Sequence, residues 1–180
     1  MPYTDILAKI LSFGGLLFIV ASYQQKNKTP LIICQSIGGA LFGIHYLLIG
    51  AYAGFLLNTI AMARGIVFAR KLSKNAGRLW VGIFIALCLI AYVLTFTLFG
   101  MEPSVTNLIL ELLPTIGMIV LTISFNMTHA GHIRILGSIN SAGWLSYNIA
   151  HQTPFGILCE IICLGSIVIG ILRHDIKKKS

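Results

Sequence analysis

Four charged side chains stand inside apolar stretches of this chain: Lys9, Arg64, Glu111 and Glu160. A charge in a lipid-spanning segment costs about 2.5–3.5 kcal/mol on insertion scales, so each is a site candidate by default. Glu111 lies six residues into its apolar segment, and Pro114 follows in the same segment. Proline removes a backbone donor and frees the carbonyl of Leu110. Glu111, Thr115, Met118 and Thr122 recur at helical spacing and form a partly polar face. A buried carboxyl beside a bend can take up and release a proton. The alternative is a structural ion pair with Lys9. Lys9 itself is about one turn from its segment's end and can snorkel to water. Arg64 is about six residues, or roughly 9 Å, from the end of its segment. It either snorkels too, or lines or pairs within the interior.

Neutral polar groups extend the set. Asn58 donates and accepts, whereas Glu160 accepts, or donates when protonated. Facing one cavity, the two suit a small polar or cationic solute. The bland alternative is a Glu–Asn or Glu–Arg64 contact that only packs helices. Gly137, Asn140, Ser141, Trp144, Tyr147 and Asn148 share one broad face at i, i+3, i+4, i+7 spacing. Phe42 and His45 sit at matching places in an earlier segment. Aromatic walls with a few convergent polar groups describe a small-ligand pocket. Small residues and amides also serve helix–helix packing. Gly38, Gly39, Gly137 and Ser141 read that way, and His45 reads as a hydrogen-bonded wall residue.

These residues must be held by spans, and the spans repeat. Shifted by 102 residues, 22–57 lies on 124–159 without a gap. Ser36-Ile37 meets Ser138-Ile139, Gly54 meets Gly156, Asn58 meets Glu160 and Lys9 meets Glu111. Over Ile6–Arg70 only ten of 65 positions are identical, so the continuous register across three apolar segments carries the repeat, not the identity. Repeated halves of this kind place transporter sites near the bilayer midplane.

Composition agrees with a membrane location. The 180 residues are 57% hydrophobic and 10% charged, with mean hydropathy +0.89, against about 25% charged in soluble domains. Seven apolar segments follow: 6–23, 31–50, 51–69, 79–99, 105–125, 133–150 and 155–172. Each approaches the roughly 20 residues that a spanning helix needs, and backbone pairing in lipid requires helices. Residues 50–54 read as a tight turn, and the first segment as a retained span, not a signal peptide. Of 13 Lys and Arg, eleven fall in loops on one side: Lys26, Lys28, Arg70, Lys71, Lys74, Arg78, Arg134, Arg173, Lys177, Lys178 and Lys179. The positive-inside rule makes that side cytoplasmic and puts the N-terminus outside. The +8 charge therefore reads as orientation, with no nucleic acid as partner. The expected fold is an all-α integral membrane protein of one domain, 1–180. Repeat one covers 6–70, a linker helix 79–99, and repeat two 105–173, giving two parallel three-helix repeats in a 3+1+3 plan.

That plan, with Asn58 in the third helix after an aromatic-bearing second helix, resembles the SWEET and PQ-loop superfamily. The stretch FGIHYLLIGAYAGFLLN looks like that repeat's second and third helices. The resemblance implies a substrate-contacting role for Asn58. The chain departs from it in lacking the proline of the Pro-Gln pair near Tyr23-Gln24 and Phe125-Asn126, and in carrying Glu160 where Asn58 stands. More closely, it resembles the YgjV-type bacterial inner-membrane proteins, through HYLLIGAYAGFLLN, ELLPTIGMIV and Trp144, Asn148, Gly156 and Glu160. This implies a multi-pass protein of the bacterial inner membrane; with the basic loops cytoplasmic, the N-terminus is expected to be periplasmic and the C-terminus cytoplasmic.

Enzyme signatures are lacking: no nucleophile elbow, HExxH, P-loop or GxGxxG occurs. The cysteines (Cys34, Cys88, Cys159, Cys163) form no CxxC pair, and His129 and His132 have no second ligand cluster, so neither metal nor cofactor is expected. The expected partners are the bilayer and a small polar solute. The leading expectation is a transporter working around Asn58, Glu160, Trp144, Asn140, Phe42, His45, Tyr147 and Asn148, with Glu111, Lys9 or Arg64 in proton coupling or an intramembrane ion pair. A membrane receptor or sensor of the same fold, and a structural assembly protein, are the alternatives.

Overall fold

The computed structural model describes residues 2–70, 73–127 and 130–173. Lys71, His129 and the tail lysines Lys177, Lys178 and Lys179 lie outside the described residues. Among the described residues seven helices follow one another: α1 Pro2–Tyr23, α2 Lys28–Leu48, α3 Tyr52–Phe68, α4 Lys74–Thr97, α5 Val105–Phe125, α6 Ala130–Ala150 and α7 Pro154–Ile171. Five of them, α1, α2, α4, α5 and α7, are long and apolar enough to cross a bilayer. The other two explain themselves locally. Helix α3 is apolar but has 17 residues, or about 26 Å against a hydrocarbon core of about 30 Å. Helix α6 carries the amides and hydroxyls already noted, and it keeps Asn140, Ser141, Tyr147 and Asn148 buried against other helices.

Local signals set the ends. Ser73 and Ser104 cap α4 and α5, accepting from the backbone N–H of Ala76 at 3.3 Å and Asn107 at 3.2 Å. The turn between α2 and α3 is shorter than residues 50–54, since 52–54 already belong to α3. Gly50 there has φ +75°, and Gln152, 102 residues later, has φ +52° between α6 and α7. The hydrogen bonds match as well. Ala51 N–H donates to the Tyr46 carbonyl at 2.9 Å and Thr153 N–H to that of Asn148 at 3.0 Å. Gly50 N–H donates to Leu47 at 3.3 Å and Gln152 N–H to Ile149 at 3.2 Å. A left-handed residue with a side chain costs about 1–2 kcal/mol. Gln152→Gly is therefore expected to stabilise the protein by about 1 kcal/mol in reversible unfolding in detergent.

Helix neighbours follow a simple order. Helix α2 packs between α1 and α3, and α6 between α5 and α7. The groups meet where α1 packs on α7 and α3 touches α5, while α4 lies against α3 and α5. The main apolar core runs through both groups, from Leu16, Phe42, Tyr46 and Leu57 to Met118, Trp144, Tyr147 and Cys159. A second cluster, around Leu31, Phe68, Phe84 and Phe125, packs α4. Outward-facing leucine, isoleucine and valine side chains cover the bundle: Ile10, Ile66, Ile90, Val93, Ile109, Ile161 and Val168 are all more than half exposed. Such a surface fits lipid rather than water. Arg134, counted above among loop charges, belongs to α6. It is buried at 2% exposure and reaches the Gln25 carbonyl at 3.5 Å.

Candidate functional site

A cavity of about 60 Å³ opens among α1, α2, α3, α5, α6 and α7. That is above the roughly 10–15 Å³ a cavity needs to hold a water molecule. Ile19 and Tyr23 line it from α1, and Gln35, Gly39, Phe42 and Tyr46 from α2. Asn58, Ala61 and Arg64 come from α3, Met118 and Leu121 from α5, Asn140, Ser141 and Trp144 from α6, and Glu160 from α7. Helical spacing accounts for the α2 set: residues 35, 39, 42 and 46 form one stripe.

Arg64 does not snorkel. It is 2% exposed and turns inward onto α5. Its Nη1 donates to the Thr122 hydroxyl at 2.8 Å and the Met118 carbonyl at 3.1 Å. Its guanidinium carbon stands 4.6 Å from the centre of the Phe125 ring. The Nε–H has no partner. Asn58 donates through Nδ2 to the Gly54 carbonyl of its own helix at 2.8 Å. This fixes the amide and leaves its oxygen beside Gly39. Glu160 is half-buried, and Ser141 faces both its carboxyl and the Tyr23 hydroxyl. No Arg64 nitrogen comes within 4.0 Å of a Glu160 oxygen. Gln35 Oε1 and Asn140 Oδ1 are buried without a hydrogen-bond partner. Among the described lining residues there are therefore one cation, one carboxyl and two amides whose oxygens are buried without a partner.

The aromatic side of the cavity is a stack. Tyr46 lies between Phe42, 6.1 Å away at 26°, and Trp144, 5.7 Å away at 21°. Both geometries are offset stacks. Asn148 and Tyr147 do not line the cavity. They fasten α6 to α2 and α3: the Tyr46 hydroxyl donates to Asn148 Oδ1 at 2.6 Å, and Gly54 N–H donates to the Tyr147 hydroxyl at 3.0 Å. Thr153 also donates to Asn148 Oδ1, at 2.5 Å. His45 is turned away as well, with Nδ1 at 2.9 Å from the Ala8 carbonyl in α1.

The alternative Lys9–Glu111 ion pair does not form. Lys9 is exposed. Glu111 is 2% exposed, and its Oε1 lies 3.4 Å from Nε2 of His151, a residue of the α6–α7 turn that is 26% exposed. His151 packs against Tyr147 at 4.3 Å between ring centres. The Glu111–His151 pair lies apart from the cavity lining. Cys159 and Cys163 are free thiols, 3.9 Å apart.

Of the residues proposed from sequence, Asn58, Glu160, Trp144, Asn140, Phe42 and Arg64 line one cavity, whereas His45, Tyr147, Asn148, Glu111 and Lys9 do not. Tyr23, Gln35, Tyr46 and Ser141 join the wall without having been singled out as ligand residues. Gln35 had a usable signal: an amide within an apolar span needs a polar partner. His151 had none, because only folding brings residue 151 to residue 111.

A bundle of apolar helices around a small cavity with a few polar lining groups, and with a lipid-like exterior, defines a polytopic membrane protein. Residues 6–178 match the family described as Imp-YgjV, bacterial inner membrane protein. The chain belongs to that family and is a multi-pass protein of the bacterial inner membrane. Neither the curated proteins nor the solved structures gave a match.

Proposed function

We propose that this protein is a transporter of a small polar solute, working by alternating access between two parallel three-helix repeats joined by the linker helix. The N-terminus is periplasmic and the C-terminus cytoplasmic, as the basic loops imply. No catalytic reaction is proposed. One observation carries this: four pairs of residues related by the 102-residue register all line the same cavity. They are Ile19 with Leu121, Gly39 with Ser141, Phe42 with Trp144, and Asn58 with Glu160. A cavity on the axis between two related halves is where rocking of one half against the other changes access. The matching turn hydrogen bonds and the two crossing contacts, α1 on α7 and α3 on α5, support the same pseudo-symmetry.

The test is uptake of pooled bacterial metabolites into proteoliposomes, read by mass spectrometry, for wild type, Asn58→Ala and Glu160→Gln, all checked for equal folding. Uptake by wild type that both variants lose supports a carrier. Binding or thermal stabilisation without flux replaces it by a receptor. Variants that unfold while wild type neither binds nor transports assign these residues to packing.

We assign proton coupling to Glu111. His151, which contacts the buried carboxyl and is itself partly exposed in the α6–α7 turn, gives Glu111 a route to the loop surface. Glu111→Gln is expected to leave solute binding intact and to abolish the stimulation of uptake by an imposed proton gradient. Equal stimulation in wild type and Glu111→Gln rules this role out.

A further inference from the structure

We propose that the cavity takes a small zwitterion, with its carboxylate at Arg64 and its ammonium among Glu160, Gln35 and Asn140. This rests on the cavity being a solute site and adds the chemical class of the solute. The cavity wall carries one cation and one carboxyl, and they are not in contact. Arg64 is held by two neutral acceptors, a backbone carbonyl and a hydroxyl, and its Nε–H is left over. Among the described residues no carboxylate pairs with it. Gln35 and Asn140, each 9% exposed, leave a carbonyl oxygen without a donor on the same wall.

Those unmet groups set out the ligand. An alkylammonium has three N–H donors, matching the two amide oxygens and the Glu160 carboxyl. A carboxylate is the natural acceptor for a guanidinium edge. A neutral polyol would leave the Arg64 charge without a counterion in a low-dielectric interior. A simple cation would serve Glu160 and not Arg64, and a simple anion the reverse. One molecule bearing both charges serves both, with no net charge to carry into the bilayer. Size points the same way: a cavity of about 60 Å³ suits the smallest amino acids.

The test is binding of radiolabelled glycine, methylammonium, acetate and glycerol to the purified full-length chain, for wild type and Glu160→Gln. Wild type is expected to bind glycine at least about tenfold more tightly than the other three, the worth of one charge-assisted contact. Glu160→Gln should lose about tenfold for glycine while gaining for acetate relative to glycine. Loss of folding would not produce that inversion. If Glu160→Gln does not fold, the wild-type ranking alone decides. Wild type binding methylammonium, acetate or glycerol as tightly as glycine overturns the zwitterion and leaves the transporter standing. If none of the four binds and the metabolite pool also gives neither binding nor uptake, both fall.

Discussion

Gly143→Ala is expected to destabilise the protein by about 2–3 kcal/mol, although alanine is the better helix former by about 1 kcal/mol. The reason is what a methyl group would meet. A Cβ on Gly143 would lie 2.5 Å from the Leu113 carbonyl oxygen, 2.9 Å from its carbon and 3.2 Å from Pro114 N. All three are backbone atoms, so no rotamer change relieves them, and α6 would have to move off α5. The same substitution at Gly82 of α4, where nothing lies within 4 Å, should stabilise by up to about 1 kcal/mol through helix propensity alone. Chemical or thermal unfolding in detergent checks both. Equal effects at the two positions would mean that α5 and α6 do not approach closely at Pro114. The site would be affected too, because Asn140 and Trp144 flank Gly143 on α6 and line the cavity.

The spans were legible because hydrophobic run length is a local property. Every expected segment coincides with a helix, with ends shifted by a few residues. The inward face of α6 was legible for the same reason, since 3.6-residue spacing puts Asn140, Ser141 and Trp144 on one side. Pairing was not legible. The 102-residue register equates Lys9 with Glu111, and that invited an ion pair. Equivalence in a repeat means equivalent surroundings, and equivalent residues touch only near the axis. Asn58 and Glu160 reach one cavity; Lys9 and Glu111 do not. Tyr147 and Asn148 show a second limit. A polar group on a buried face is satisfied either by a solute or by another helix, and spacing within one helix does not say which. Here Gly54 and Tyr46 take them. Arg64 shows a third: a long side chain near a span's end has two routes of equal length, outward to water or inward across to α5. Thr122, Met118 and Phe125 supply the inward one.

Arg64→Met should leave the protein as stable as wild type, or more so, while lowering solute binding and uptake by about tenfold to a hundredfold. The stability half follows from what the substitution strands, which is nothing. The methionine thioether can take the guanidinium's place against the Phe125 ring. The Thr122 hydroxyl keeps its own acceptor, the Met118 carbonyl, at 2.6 Å. The desolvated charge, whose Nε–H has no partner, disappears. Replacing a buried charge by an apolar group of similar size is often neutral or stabilising. The functional half follows from the cavity, where Arg64 is the one cation among the described lining residues. Its loss removes the counterpart for any anionic group of the solute. The two halves must be read together on the same preparations, as a melting temperature and a binding isotherm. Unchanged or raised stability with lost binding marks a charge retained for its ligand at a cost to the fold. A variant that instead melts well below wild type would make Arg64 a tie between α3 and α5, and its unpaired nitrogen would be incidental to function.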